Sequence, residues 1–126
     1  KDLAIHIADL PTWITLALTT EELDFIKSPY NPKDCNGGEE LLKYYEKNAA
    51  EAKMHLQKNK DGILSENWTL KSGDIIYMQI SKLETIRHAY CQMVHHRAQL
   101  GVYLRLLNIP IPGVYGPSAD EMVAVA

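Results

Sequence analysis

The sequence contains little cysteine and no long apolar run. Its two cysteines, Cys35 and Cys91, cannot form a multi-bridge framework, and we expect both to be reduced thiols in a cytoplasmic protein. The longest uncharged run, residues 106–119, includes three prolines. It is shorter than the roughly 18 apolar residues that a membrane-spanning helix needs. The sequence therefore predicts neither a disulfide-stapled protein nor a membrane-embedded one.

Positive charge is also scarce. The chain has 13 Lys and Arg against 16 Asp and Glu, for a net charge of -3. Residues 1–60 carry 8 basic and 10 acidic side chains and residues 61–126 carry 5 and 6, so neither half offers the basic face that nucleic acid binding requires. The sequence also contains no phosphate-binding glycine loop, no nucleophile elbow and no CxxC pair. We expect no nucleic acid partner.

The 126 residues, of which 46% are apolar and 23% charged, are typical of one soluble domain. Apolar residues at spacings of three and four predict helices over residues 1–18, 38–60 and 80–108, packed side by side. Pro11 interrupts the first pattern, so this helix either ends near Leu10 or continues with a kink to Leu18. Residues 61–79 alternate polar and apolar around a turn at 72–74, which leaves a small hairpin and an ordered loop as alternatives.

Two histidines are candidate partners across the predicted helices. At 100° per residue, Gln92 and His96 lie at the edge of the apolar stripe of the last helix, and His6 flanks the stripe of the first. If these helices pack together, His6 and His96 meet, with Gln92 one turn from His96. A rim histidine is more often a hydrogen-bonded structural residue than a metal ligand, so spacing alone leaves both interpretations open.

The other reactive side chains are interpreted as structural. His55 and His88 are expected to be solvated, and Cys91 to be an inert thiol. Trp13 and Trp68 are interpreted as core or loop anchors. Arg97 lies near the centre of the apolar stripe, and burial there would require a carboxylate partner, for which the candidates are Asp120, Glu121 and Asp9.

Two segments resemble a known family. The string HHRAQLGVYLRLLNIPIPGVYGPSADE, residues 95–121, looks like the C-terminal signature of the DinB-like family, and LAIHIADLPTWI, residues 3–14, looks like its earlier histidine helix. WTLKSGD, residues 68–74, is similar to the linking segment of bacterial members. The resemblance covers nearly the whole chain and implies one domain, residues 1–126.

That resemblance implies an all-α fold, an up-down-down-up four-helix bundle that is often a homodimer. It also implies a divalent metal, zinc or nickel, held by three histidines. Carried onto this sequence, the metal positions are His6, Gln92 and His96. Family members include thiol-dependent transferases and proteins described as metal-dependent hydrolases.

The sequence departs from the family pattern in two respects. Gln92 stands where a histidine is expected, and its amide oxygen is a poor ligand for zinc or nickel. The first family helix would lie before Lys1, so we expect either an upstream helix or a partner chain to cover the face it leaves. Two hypotheses follow: a metal-dependent hydrolase or thiol transferase with an atypical site, and a non-catalytic dimeric or small-molecule-binding bundle whose metal site has decayed.

Overall fold

A computed structural model describes residues 1–122 of the chain. Most of it is helical, and the rest includes a small three-stranded sheet. The helices are α1 (Asp2–Asp9), α2 (Pro11–Thr19), α3 (Gly38–Lys58), α4 (Lys82–Leu106) and α5 (Ala119–Met122), and the strands are β1 (Glu22–Asp24), β2 (Asn67–Ser72) and β3 (Ile75–Ser81).

The first predicted helix is two helices that meet at Pro11. Proline has no N–H to donate, and it occupies the first turn of α2, where that donor would be unsatisfied in any case. Leu10 keeps a right-handed helical conformation between the two segments. The chain therefore lacks one helical N–H donor at Pro11, while the Leu10 N–H still donates to the His6 carbonyl at 3.0 Å and both helices pack against α3 and α4.

The all-α prediction is wrong, and the structure does not show a four-helix bundle. The described residues contain a three-stranded mixed sheet in the order β1-β2-β3. Strands β2 and β3 form the antiparallel hairpin that the alternation over 61–79 allowed, and Gly73 takes the positive φ of 58° that its turn requires. Strand β1 pairs parallel to β2, a contact between residues more than 40 positions apart that no local pattern predicts.

The core lies where α2, α3 and α4 meet. Its buried members are small and branched aliphatic residues, which allow close approach of the helices. They are Ile14, Ala17, Leu18, Ala52, Ile86 and Ala89.

The interpretation of Trp68 as an anchor is confirmed. Its side chain is fully buried, and its indole N–H donates to the Thr20 hydroxyl at 3.0 Å. The ring also contacts Trp13, with ring centres 6.3 Å apart. Trp68 thereby fixes the hairpin to the end of α2.

The predicted carboxylate partner of Arg97 is not found among residues 1–122. The Arg97 side chain is exposed, and the guanidinium lies 5.4 Å from the centre of the Tyr115 ring. Asp120 instead lies 3.6 Å from Arg105 and accepts a hydrogen bond from the Ile111 N–H. Several apolar side chains in the C-terminal half of α4 are exposed, among them Val102, Tyr103 and Leu106.

Asp24 joins β1 to the hairpin turn. Its buried Oδ1 accepts hydrogen bonds from the N–H groups of Ile26 and Gly73, each at 3.0 Å. The bonds from Gly73 and then Ile26 hold the pKa of Asp24 below its ordinary value, because they stabilise the charged form.

A carboxylate whose pKa is lower in the folded state stabilises the fold above its unfolded pKa, and this contribution is lost as the pH falls through the folded pKa. We therefore expect Asp24→Ala to lower the free energy of unfolding at pH 7. The difference from the parent should shrink in acid. Urea denaturation between pH 7 and pH 3 measures this difference. Asp74→Ala, at an exposed position in the same turn, is the control. A deficit for Asp24→Ala that does not shrink in acid would contradict the assignment.

Part of the surface of α4 is apolar. Leu83, Tyr90 and Val94 are each more than 40% exposed and line a shallow groove together with Cys91.

Within residues 1–122 no helix is both long and apolar enough to cross a membrane.

Candidate functional site

The packing of α1 against α4 brings two histidines into contact. The ring centres of His6 and His96 are 4.7 Å apart, and the ring planes are inclined at 78°. Both side chains are half-buried. The meeting of His6 and His96 across the helices, predicted from their positions on two apolar stripes, is therefore present.

The spacing of these rings is suited to one shared ion. Imidazole nitrogens bind zinc at about 2.0–2.1 Å, and two imidazoles on one tetrahedral ion have ring centres about 5 Å apart. The observed 4.7 Å is close to that value. The ring spacing is thus compatible with two ligands on one ion, and an edge-to-face contact of two rings without an ion gives the same spacing.

Hydrogen bonding leaves one nitrogen of His96 available. His96 Nδ1 lies 2.8 Å from Gln99 Oε1, and because an amide oxygen can only accept, Nδ1 carries the proton. In the neutral ring, Nε2 then keeps its lone pair. Such a partner on the far nitrogen is the usual way in which proteins orient a ligating histidine.

His6 is kept uncharged by its surroundings. Burial lowers the pKa of His6 below its ordinary value, and the neighbouring His96 lowers it further, while Asp9 acts in the opposite direction. A neutral imidazole is the form that binds metals. His6 therefore presents the protonation state that a metal site needs at neutral pH.

The third predicted position does not supply a strong ligand. Gln92 lies near His6, but its amide nitrogen is 3.4 Å from His88 Nε2, so the amide is engaged one turn back along α4. Its oxygen is the atom that retains lone pairs for an ion. Over the part of the chain that the structure describes, no group of three His, Cys, Asp or Glu side chains could hold one metal ion.

A cavity of about 230 Å³ adjoins the histidine pair. Its walls come from three sides: α1 together with α2, the cross-strand pair of the β2–β3 hairpin, and one face of α4. The polar groups lie on the two helical faces. The lining residues are His6, Leu10, Trp13, Leu70, Met78, Thr85, His88, Ala89 and Gln92.

Asp9 fixes α1 in the position that carries His6. Its buried carboxylate accepts hydrogen bonds from the Tyr44 hydroxyl at 2.5 Å and the Tyr30 hydroxyl at 2.9 Å. One turn of α1 separates Asp9 from His6. Contacts from α3 and from the loop before it therefore hold the ring of His6 toward α4.

His88 is exposed, as expected, and it also lines the cavity with His6 and Gln92, a position that the sequence analysis did not predict. The spacing of four between His88 and Gln92 was the available signal, because residues at that spacing share a helix face. His95 lies beside His96, with ring centres 4.9 Å apart.

The fold and the site define a class: a helical protein with a small sheet, in which two histidines from two helices meet and one of them, His6, lines a largely apolar cavity. The chain belongs to the DinB family, whose model matches residues 1–123. Neither a curated protein nor a solved structure matches it.

Proposed function

We propose that this DinB family protein binds one zinc or nickel ion weakly through His6 and His96, with the Gln92 oxygen as a third, weaker donor. The observation that carries the proposal is the contact of two half-buried imidazoles, 4.7 Å apart, beside a cavity. A neutral His6 and the Gln99 contact that orients His96 support it.

The proposed reaction is hydrolysis or thiol transfer on a small molecule in the cavity. When bound, a divalent ion supplies Lewis acidity, which lowers the pKa of a water or a thiol. His6 and His96 hold the ion, and Gln99 keeps the His96 ring in its ligating orientation. The apolar walls from Leu10, Trp13 and neighbouring residues shield one side of the substrate from bulk water.

A second function is favoured by Gln92. Because its amide is engaged by His88 and is a weak donor, a chain that has lost metal affinity would retain the cavity as a small-molecule binding site.

We also propose that the apolar groove on α4 is covered by a second copy in a homodimer, since isolated apolar patches of this kind mark interfaces. Analytical ultracentrifugation measures that state.

Zinc titration by calorimetry distinguishes the two functions. We expect the parent to bind one zinc ion per chain and His96→Phe, which keeps a flat ring in place, to lose binding at least about tenfold. His55→Phe, on α3 and away from the site, is the matched control and should bind as the parent does. A parent that binds no zinc, or a His96→Phe variant that binds it equally well, would leave the small-molecule binding protein as the better account.

A further inference from the structure

The cavity beside the histidine pair is lined without any acidic residue, lysine or arginine. Its nine residues include no Lys, Arg, Asp or Glu, although these types make up 23% of the chain. Five of the nine are apolar, and the polar ones are two imidazoles, one amide and one hydroxyl. In the absence of a bound metal, a charged ligand would lose its hydration here without gaining an opposite charge, which is costly.

The volume limits the size of the occupant. An apolar protein cavity of about 150 Å³ accepts benzene, so about 230 Å³ holds a six-membered ring and a short substituent. Drug-sized ligands occupy pockets of about 300–1,000 Å³, which are larger. The part of a ligand that the cavity encloses is therefore of roughly fragment size.

The arrangement of the walls favours an aromatic ring. The indole of Trp13 lies on one wall, and Met78, paired across the hairpin with Leu70, lies on another. Aromatic rings pack well against both groups, by offset or edge contact with an indole and by contact with a thioether sulfur. The polar groups of His6, His88 and Gln92 can bond a single hydroxyl or carbonyl.

We infer that the cavity takes a small, uncharged aromatic molecule that carries one hydrogen-bonding head group. The inference rests on the proposed function in one respect, since it names the substrate class of the same site. Binding to the walls does not require the metal, however, and the experiment is run in the presence of a chelator.

The probe is benzyl alcohol, followed by NMR of protein labelled with ¹³C at the methionine methyl groups. Met78 lines the cavity, whereas Met54 is exposed on α3 and serves as an internal control. We expect benzyl alcohol to shift the Met78 signal with saturation and to leave Met54 unchanged. Benzylammonium and phenylacetate should bind at least about tenfold more weakly, and cyclohexylmethanol should bind more weakly than benzyl alcohol.

Filling the cavity should abolish the change that benzyl alcohol causes in the Met78 methyl signal. Ala89→Leu places three further carbons in it, and Ala50→Leu makes the same change at an exposed position of α3. Because Ala89 is buried, Leu70→Phe in the hairpin provides a second filling variant if the first does not fold.

An unmoved Met78 signal, charged analogues that bind as well as the alcohol, or a folded filling variant that binds unchanged would overturn the charge and size assignment. Equal binding of cyclohexylmethanol would overturn the aromatic one. If benzyl alcohol does not bind while zinc still binds, the metal proposal stands and the cavity inference is rejected. If benzyl alcohol binds while zinc does not, only the metal proposal is rejected.

Discussion

Replacement of Trp68 by alanine is expected to lower the free energy of unfolding by about 3–5 kcal/mol, since it removes a fully buried indole. The truncation leaves a void between β2 and α2 and removes the donor to the Thr20 hydroxyl. A domain of this size is stabilised by about 5–15 kcal/mol in total. The loss is therefore a large fraction of the stability, and thermal and urea denaturation measure it.

Tyr77→Ala is the matched control for Trp68→Ala. Tyr77 is an aromatic residue of the same hairpin, 60% exposed, on strand β3. Its truncation should cost less than about 1 kcal/mol, because little of the ring leaves water on folding. Equal losses for the two variants would show that the hairpin is not anchored through Trp68.

Gln92→His is expected to strengthen zinc binding roughly 100-fold, which corresponds to about 2.7 kcal/mol. The substitution places two imidazoles at i and i+4 on α4, opposite His6, and completes the three nitrogen ligands that zinc favours. The parent offers only a weakly donating amide oxygen at this position. Calorimetric titration of both proteins at one pH gives the ratio of affinities.

Two further variants identify the source of this gain. Gln57→His adds a histidine on an exposed face of α3 and should leave the affinity of the parent unchanged. The double variant Gln92→His with His96→Phe should lose the increase in zinc affinity. This result would show that the new histidine binds zinc together with His96 and not with His88. A Gln92→His variant that binds no better than the parent would show that α1 and α4 do not present these groups to one ion.

The helices were predictable because each carries a periodic apolar face, which is a local property of the sequence. The predicted ranges 38–60 and 80–108 differ from Gly38–Lys58 and Lys82–Leu106 by about one turn or less at each end. Strand β1 was not predictable, because three residues carry no usable alternation and depend on β2 for their pairing. The all-α fold class was wrong because the resemblance implied a helical bundle, while the hairpin over 61–79 was only one of two alternatives.

The candidate site was predictable in part. Rotation around two helices placed His6 and His96 together, and the structure agrees. The same arithmetic failed for Arg97, because periodicity describes the face of a helix and does not show where a neighbouring element ends. The role of His88 depends on the cavity wall contributed by the hairpin, a tertiary contact outside any helical pattern.

The most direct measurement of the central claim is a zinc-edge anomalous diffraction map from crystals of the protein grown with zinc. The account predicts one anomalous peak between the rings of His6 and His96, about 2.0–2.1 Å from a nitrogen of each. Its occupancy should be partial and should disappear after soaking in a chelator. A map with no peak there, or with zinc bound only at other side chains, would contradict the account.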